Sequence, residues 1–86
     1  MPLEVRYTKA ALKYLESRDR RTKAAIEQHI AKLALDPFSF PLSKPLRGRL
    51  ERTCRVGDYR IIFSVEESES ALFVAIIGHR KDVYDQ

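Results

Sequence analysis

The chemically capable residues of this 86-residue sequence gather in two places. Gly78-His79-Arg80-Lys81-Asp82-Val83-Tyr84 supplies a titratable imidazole, two cations and a phenol directly after an apolar run. The second concentration runs from Lys44 to Arg60, where Lys44, Arg47, Arg49, Arg52, Arg55 and Arg60 face only Glu51 and Asp58. The acids cluster elsewhere, notably at Glu66, Glu67 and Glu69. A basic stripe suits a polyanion such as RNA, and it equally fits a solvated arginine face. Together these groups could cleave a phosphodiester by attack of a neighbouring ribose hydroxyl. That reaction needs a base to take a proton, cations for the charge building on phosphorus, and an acid for the leaving oxygen. The C-terminal residues must converge with Arg60 to do this. Without that convergence they form an ordinary polar tail.

The elements that would position them are legible as periodicities. Leu3, Val5 and Tyr7 alternate with Glu4 and Arg6, the pattern of a half-buried strand. Thr8 can cap a helix through Leu15, with Ala11, Leu12 and Leu15 on one side. Asp19 can cap a second helix in which Ile26, Ile30 and Leu33 form the apolar stripe. Asp36-Pro37 stops that helix, because proline lacks an amide hydrogen and restricts the residue before it. His29 lies at the edge of the stripe and reads as a boundary residue rather than a catalytic one. Residues 37–48 form a long connection with apolar anchors. Strands are expected over Leu50 to Val56, Tyr59 to Val65 and Ala71 to Ile77, with a turn at Gly57-Asp58 and a polar loop at Glu66 to Ser70. The last is continuously apolar, as for a central strand covered on both faces.

The expected order is strand, two helices, three strands. This is an α+β single domain, residues 1–86, in which an antiparallel meander carries both helices on one face. If Tyr59, Ile61, Phe63 and Val65 face the helices, Arg60, Ile62 and Ser64 face the open side. Leu50, Cys54 and Val56 look inward on the preceding strand, so Thr53 and Arg55 point outward with Glu51. Arg52 breaks the alternation and is expected at a bulge or an edge. Arg55 and Arg60 then approach across the hairpin, where like charges are unfavourable until an anion joins them. Arginine's planar fork suits a phosphate in that position.

Composition narrows the classes further. The chain is too short for a second domain or a deep enclosed cavity. Its hydrophobic content of 44% and charged content of 33% are those of a folded domain. No apolar run approaches the roughly 20 residues that span a bilayer, and Met1 to Arg6 lacks signal-peptide character, so the reading is cytoplasmic. Cys54 is the lone cysteine, which precludes an internal disulfide, and with two distant histidines it makes no zinc-site spacing. It reads as a small buried apolar residue within its strand.

Two segments resemble the signatures of the RelE/ParE toxin superfamily. Arg55-Val56-Gly57-Asp58-Tyr59-Arg60-Ile61-Ile62-Phe63 is similar to "RVGDYRIIY", and Gly78-His79-Arg80-Lys81-Asp82-Val83-Tyr84 to "GHRKDVY". Tyr7 to Leu15 and Lys44-Pro45-Leu46-Arg47-Gly48 resemble other parts of the same pattern, so the likeness spans nearly the whole chain in order. One departure stands out. Many members carry Arg-x-Arg before the turn, where this chain has Thr53 and Arg55, with Arg52 alongside.

The resemblance implies a toxin of a type II toxin–antitoxin module with a βααβββ fold. RelE-like members cut messenger RNA in the ribosomal A site, and ParE-like members inhibit DNA gyrase by binding it; an inert relative would retain only its antitoxin. In the RNA-cutting branch Arg60 and Arg80 would hold and stabilise the phosphate. Tyr84 would stack on a base and help to orient or activate the 2′-hydroxyl, and His79 is the candidate for proton transfer. Arg55, Arg52, Lys44, Arg47 and Lys81 are the candidate phosphate contacts. Attack by the 2′-hydroxyl gives a cyclic phosphate without a metal, so no cofactor is expected. The implied partners are the ribosome with its mRNA, a cognate antitoxin with an extended acidic segment, and operator DNA through the antitoxin complex; no membrane is implied.

Overall fold

The computed structural model describes residues 2–38, 43–45 and 51–81, with residues 44 and 45 as backbone alone. The elements are β1 (Glu4–Tyr7), α1 (Lys9–Glu16), α2 (Arg20–Leu35), β2 (Lys44–Pro45), β3 (Arg52–Val56), β4 (Tyr59–Glu66) and β5 (Ala71–His79), with a 3-10 turn at Glu67–Glu69. They form a five-stranded sheet in the order β1-β5-β4-β3-β2. The expected meander is present, since β3 pairs antiparallel with β4 and β4 with β5. Two features extend it. The two-residue β2 adds to the edge of β3, and β1 lies parallel to β5 with Val5 opposite Leu72. β1 is fixed at its start by Glu4 N–H donating to the Ser70 carbonyl (2.8 Å) and by Leu3 N–H donating to Ala34 at the end of α2 (2.9 Å). Arg6 on β1 pairs with Glu69, which ties the acidic turn to the same edge.

Both helices begin as their sequences require. Thr8 is extended (φ −68°, ψ 159°), and its hydroxyl oxygen accepts from Ala11 N–H at 3.1 Å. The same hydroxyl donates to the Ala75 carbonyl at 2.7 Å, joining the start of α1 to β5. Asp19 caps α2 by accepting from Thr22 N–H (3.2 Å), and the Thr22 hydroxyl together with this amide lowers its carboxyl pKa. α2 ends at Leu35, directly before Asp36-Pro37.

The core lies between the helices and one face of the sheet. Ala11 and Leu15 of α1 and Ile26, Ile30 and Leu33 of α2 meet Cys54, Val56, Ile61, Phe63, Leu72, Val74 and Ile77. Tyr59 and Val65 pack against this cluster, which bears out the expected face of β4. β5 departs from expectation. Its helix-facing residues are buried, yet Ile76 on the other face is 46% exposed. β5 also carries a bulge: Ile62 pairs with Ile76 while Phe63 pairs with Val74, leaving Ala75 outside the ladder. The Ala75 carbonyl is the one that takes the Thr8 hydroxyl. Among the described residues no helix is long and apolar enough to cross a membrane.

Two expectations follow from this packing. Phe63 is the largest fully buried side chain, so Phe63→Ala should lower the unfolding free energy by about 3–5 kcal/mol in urea titrations. Burial also pushes the Cys54 thiol up to about 11, from an ordinary value of roughly 8.5. The fold favours the neutral thiol, so its contribution is complete below about pH 8.5 and is lost as pH rises through the folded value. Native protein should therefore resist thiol alkylation at pH 8. Between pH 8.5 and 11 it should lose stability faster than Cys54→Ala, and identical pH profiles for the two proteins would contradict this.

Candidate functional site

The site is organised by the hairpin of β3 and β4. Val56 pairs with Tyr59 across the two-residue turn Gly57-Asp58, and Gly57 takes a left-handed φ of 59°. Glycine enters that region without steric penalty, and at the first turn position it matches the twist of the flanking strands. The register then places Cys54 opposite Ile61 and Arg55 opposite Arg60. Cys54, Val56 and Ile61 are in the core, so Arg55 and Arg60 project from the sheet face away from the helices, as expected from parity.

β5 completes the row. Gly78 pairs with Arg60, so the strand next to Arg60 presents no side chain at that level. One level deeper on the same face lie Thr53, Ile62 and Ile76, which are mutual neighbours across the three strands. Thr53 and Ile62 are buried there, outside the main core cluster. Arg60 is half-buried and Arg55 exposed, with Arg55 Nε donating to the Gly57 carbonyl at 3.3 Å. The arrangement is a pair of arginines on opposed strands over a partly apolar floor, next to the buried Gly78. Directly opposed cations repel, and an anion placed between them relieves that repulsion.

Arg80 arrives at the same end of the sheet. Its N–H donates to the Asp58 carbonyl at 2.8 Å, and its Nε lies 3.9 Å from the Asp58 carboxylate. The β3–β4 turn therefore holds the chain as it leaves β5. The ion pair itself is exposed on both sides, where such pairs contribute little. Asp58 in this role was not visible in the sequence, where it reads as a turn residue.

The other expected residues are distributed differently. His79 pairs with Tyr59, and its ring lies edge-on to Tyr59 at 5.7 Å and 72°. It is thus on the helix-facing side of the sheet, while Arg55 and Arg60 are on the other. Its Nδ1 accepts from Lys81 N–H at 3.2 Å, which fixes the ring further on that side. The expected convergence of His79 with Arg60 is not what strand parity delivers. Arg52 has also left the group. It shares parity with Cys54 and Val56, and its Nε donates to Ser43 Oγ at 2.6 Å while its guanidinium lies 5.0 Å from the Phe38 ring. It sits next to the edge strand β2 rather than at a bulge, and its charge is engaged away from Arg55. Lys81 is exposed. Lys44 contributes its backbone opposite Thr53. Arg47 and Tyr84 lie outside the described residues.

On the helix side, Tyr14 lies edge-on to Tyr59 at 6.5 Å, and Arg18 covers the Tyr14 ring at 4.2 Å. A cleft of about 370 Å³ opens between α2 and the hairpin, lined mainly by Ala25, Ile26, Val56 and Tyr59. His29 borders it, half-buried, with Nδ1–H donating to the Ala25 carbonyl at 3.0 Å, as befits a boundary residue. Among the described residues no three His, Cys, Asp or Glu side chains come together as a metal site.

The comparisons agree with this architecture. Residues 5–84 match the model of the ParE toxin of the type II toxin–antitoxin system parDE. The chain is 31% identical over 87 residues to Toxin RelG of Mycobacterium tuberculosis, covering 98% of each protein. Its fold superposes on the RelBE2 toxin–antitoxin complex of the same organism with a TM-score of 0.78 and 25% identity, covering 93% of this chain and 100% of that one. The isolated RelE toxin of E. coli gives a TM-score of 0.80 at 16% identity, over 90% of this chain and 83% of that one. With the signatures, the βααβββ order and the family model in agreement, this chain belongs to the ParE toxin family, within the RelE/ParE superfamily of type II toxin–antitoxin toxins.

Proposed function

We propose that this toxin is a ribosome-dependent endoribonuclease that arrests translation by cutting messenger RNA. The observation that carries the reading is the cross-strand pair Arg55–Arg60 beside Gly78 on the sheet face away from the helices. In the reaction the 2′-hydroxyl oxygen bonds to the adjacent phosphorus, and the bond from phosphorus to the 5′-oxygen breaks. A 2′,3′-cyclic phosphate and a 5′-hydroxyl result. Negative charge builds on the non-bridging oxygens as the fifth bond forms, and fixed cations stabilise that state more than the ground state. In this reading Arg60 and Arg55 supply those cations, and Arg80, held beside Asp58 at the same end of the sheet, supports the reading as a third. Tyr84 is assigned to stacking on a base and orienting the attacking hydroxyl. With His79 on the other side of the sheet, the chain supplies positioning and electrostatics, and the programmed ribosome supplies the alignment of the substrate.

The cognate antitoxin is the second partner. The RelE-type neighbours include toxin–antitoxin complexes, and an acidic, extended segment folding over the basic face would cover Arg55 and Arg60. The pair would then reach operator DNA through the antitoxin. The reaction takes place in the cytoplasm, where the ribosome is. The family model's ParE description favours a second reading, inhibition of DNA gyrase by binding, because one fold serves both activities.

Translation on purified ribosomes with a defined mRNA, followed by primer extension, tests the reading. Wild-type toxin should produce breaks within the A-site codon, and Arg60→Ala should reduce them by about 100- to 1,000-fold with an unchanged melting temperature. Intact mRNA with folded wild-type protein would reject the ribonuclease, and a gyrase supercoiling assay would then test the second reading.

A further inference from the structure

The face that carries the arginine pair holds a buried polar atom that the reading above leaves unused. Thr53 is only 7% exposed, and its Oγ1 is buried without a hydrogen-bond partner among the described residues. It precedes Arg55 by two residues on β3, which puts it on the same face at a spacing of roughly 7 Å. Its cross-strand neighbours are Ile62 on β4, which is itself next to Ile76, and Lys44 on β2.

Leaving a hydroxyl buried and unbonded works against the fold. Valine has nearly the same shape and the same preference for strands, without the polar atom. The hydroxyl therefore contributes nothing to the folded chain that valine would not, and it gains a partner only when a ligand brings one. The chemistry beside it defines that ligand. Two guanidinium groups flank the position that an oxyanion would take, and a hydroxyl can donate to an oxygen of the same group.

We propose that Thr53 is a substrate-binding residue whose Oγ1 donates a hydrogen bond to a non-bridging oxygen of the RNA phosphate held by Arg55 and Arg60. This rests on the ribonuclease reading and adds a neutral donor to its two cations. A neutral donor acts at short range and displaces no counterions, so its effect differs in kind from that of an arginine.

The test is single-turnover cleavage of mRNA on programmed ribosomes by the full-length toxin, with melting temperatures measured alongside. Thr53→Val should cut about tenfold more slowly, the effect of one hydrogen bond to a charged group, and should melt at or above wild type. Thr53→Ser, which keeps the hydroxyl, should cut within about twofold of wild type. Between about 50 and 200 mM salt the ratio of wild type to Thr53→Val should stay constant, whereas the ratio of wild type to Arg55→Ala should shrink as salt screens the lost cation. Wild-type cutting by Thr53→Val would overturn the proposal and leave the ribonuclease reading intact. A slow Thr53→Val that also melts well below wild type, with Thr53→Ser equally slow, would overturn it in favour of a packing role. Uncut mRNA with the wild-type toxin would overturn the ribonuclease reading itself, and this proposal with it.

Discussion

The two-residue turn between Val56 and Tyr59 leaves β3 and β4 a single register, and the rest of the molecule is arranged around it. Side chains alternate along a strand, so a slip of one residue would exchange its buried and exposed sets. The register seen here buries Cys54 and Val56 against Ile61 and the helices, and sets Arg55 directly across from Arg60. Burying an aliphatic side chain contributes about 1.5–3 kcal/mol. A pair of opposed surface charges works against the sheet by less, on the scale of about 0.2–1 kcal/mol for cross-strand pairs. Apolar burial therefore decides the register, and the repulsion between the two arginines is carried along as a consequence.

A second constraint is the bulge at Ala75. Without it, counting on from Val74 opposite Phe63 would place Ile77 beside Arg60 and Gly78 beside Tyr59. With it, Ile77 turns into the core, Gly78 stands next to Arg60, and His79 meets Tyr59 on the helix side. One extra residue thus sets Gly78 beside Arg60 and turns the imidazole to the other face. The bulge is held from outside the sheet, since the Thr8 hydroxyl that caps α1 also bonds the Ala75 carbonyl. The start of a helix and the chemistry at the far end of β5 are linked through that contact.

Charge is allocated by the same local economy of contacts. Arg6 pairs with Glu69, Arg18 lies on Tyr14, Arg52 is engaged by Ser43 and Phe38, and Arg80 is tethered at Asp58. A linear count of basic residues between Lys44 and Arg60 treats these cations alike. In the fold, the hairpin sets Arg55 and Arg60 on the face opposite the helices. Arg52 shows the reason most plainly. It is three residues from Arg55, an odd separation, so the pleat sends it to the other side of the sheet.

The sequence by itself determined what short-range physics controls. Apolar periods of two and of three to four located the strands and helices. Thr8, Asp19 and Asp36-Pro37 marked where the helices begin and end, and Gly57-Asp58 marked the hairpin. Strand parity was enough to put Arg55 and Arg60 on one face, because it depends only on neighbours in the chain and on one tight turn. The tertiary structure decided what depends on contacts between distant segments. β1 lies parallel to β5 although some sixty residues separate them, and no local pattern reports that pairing. The continuous apolar run of β5 hides its bulge, because with no polar residue to mark a face a shift of one position leaves the pattern unchanged. The faces of Gly78 and His79 follow from that shift, which is why the sequence grouped His79 with Arg60 and the fold separates them. The unbonded hydroxyl of Thr53 belongs to the same class, since burial is a property of the assembled sheet and not of the residue.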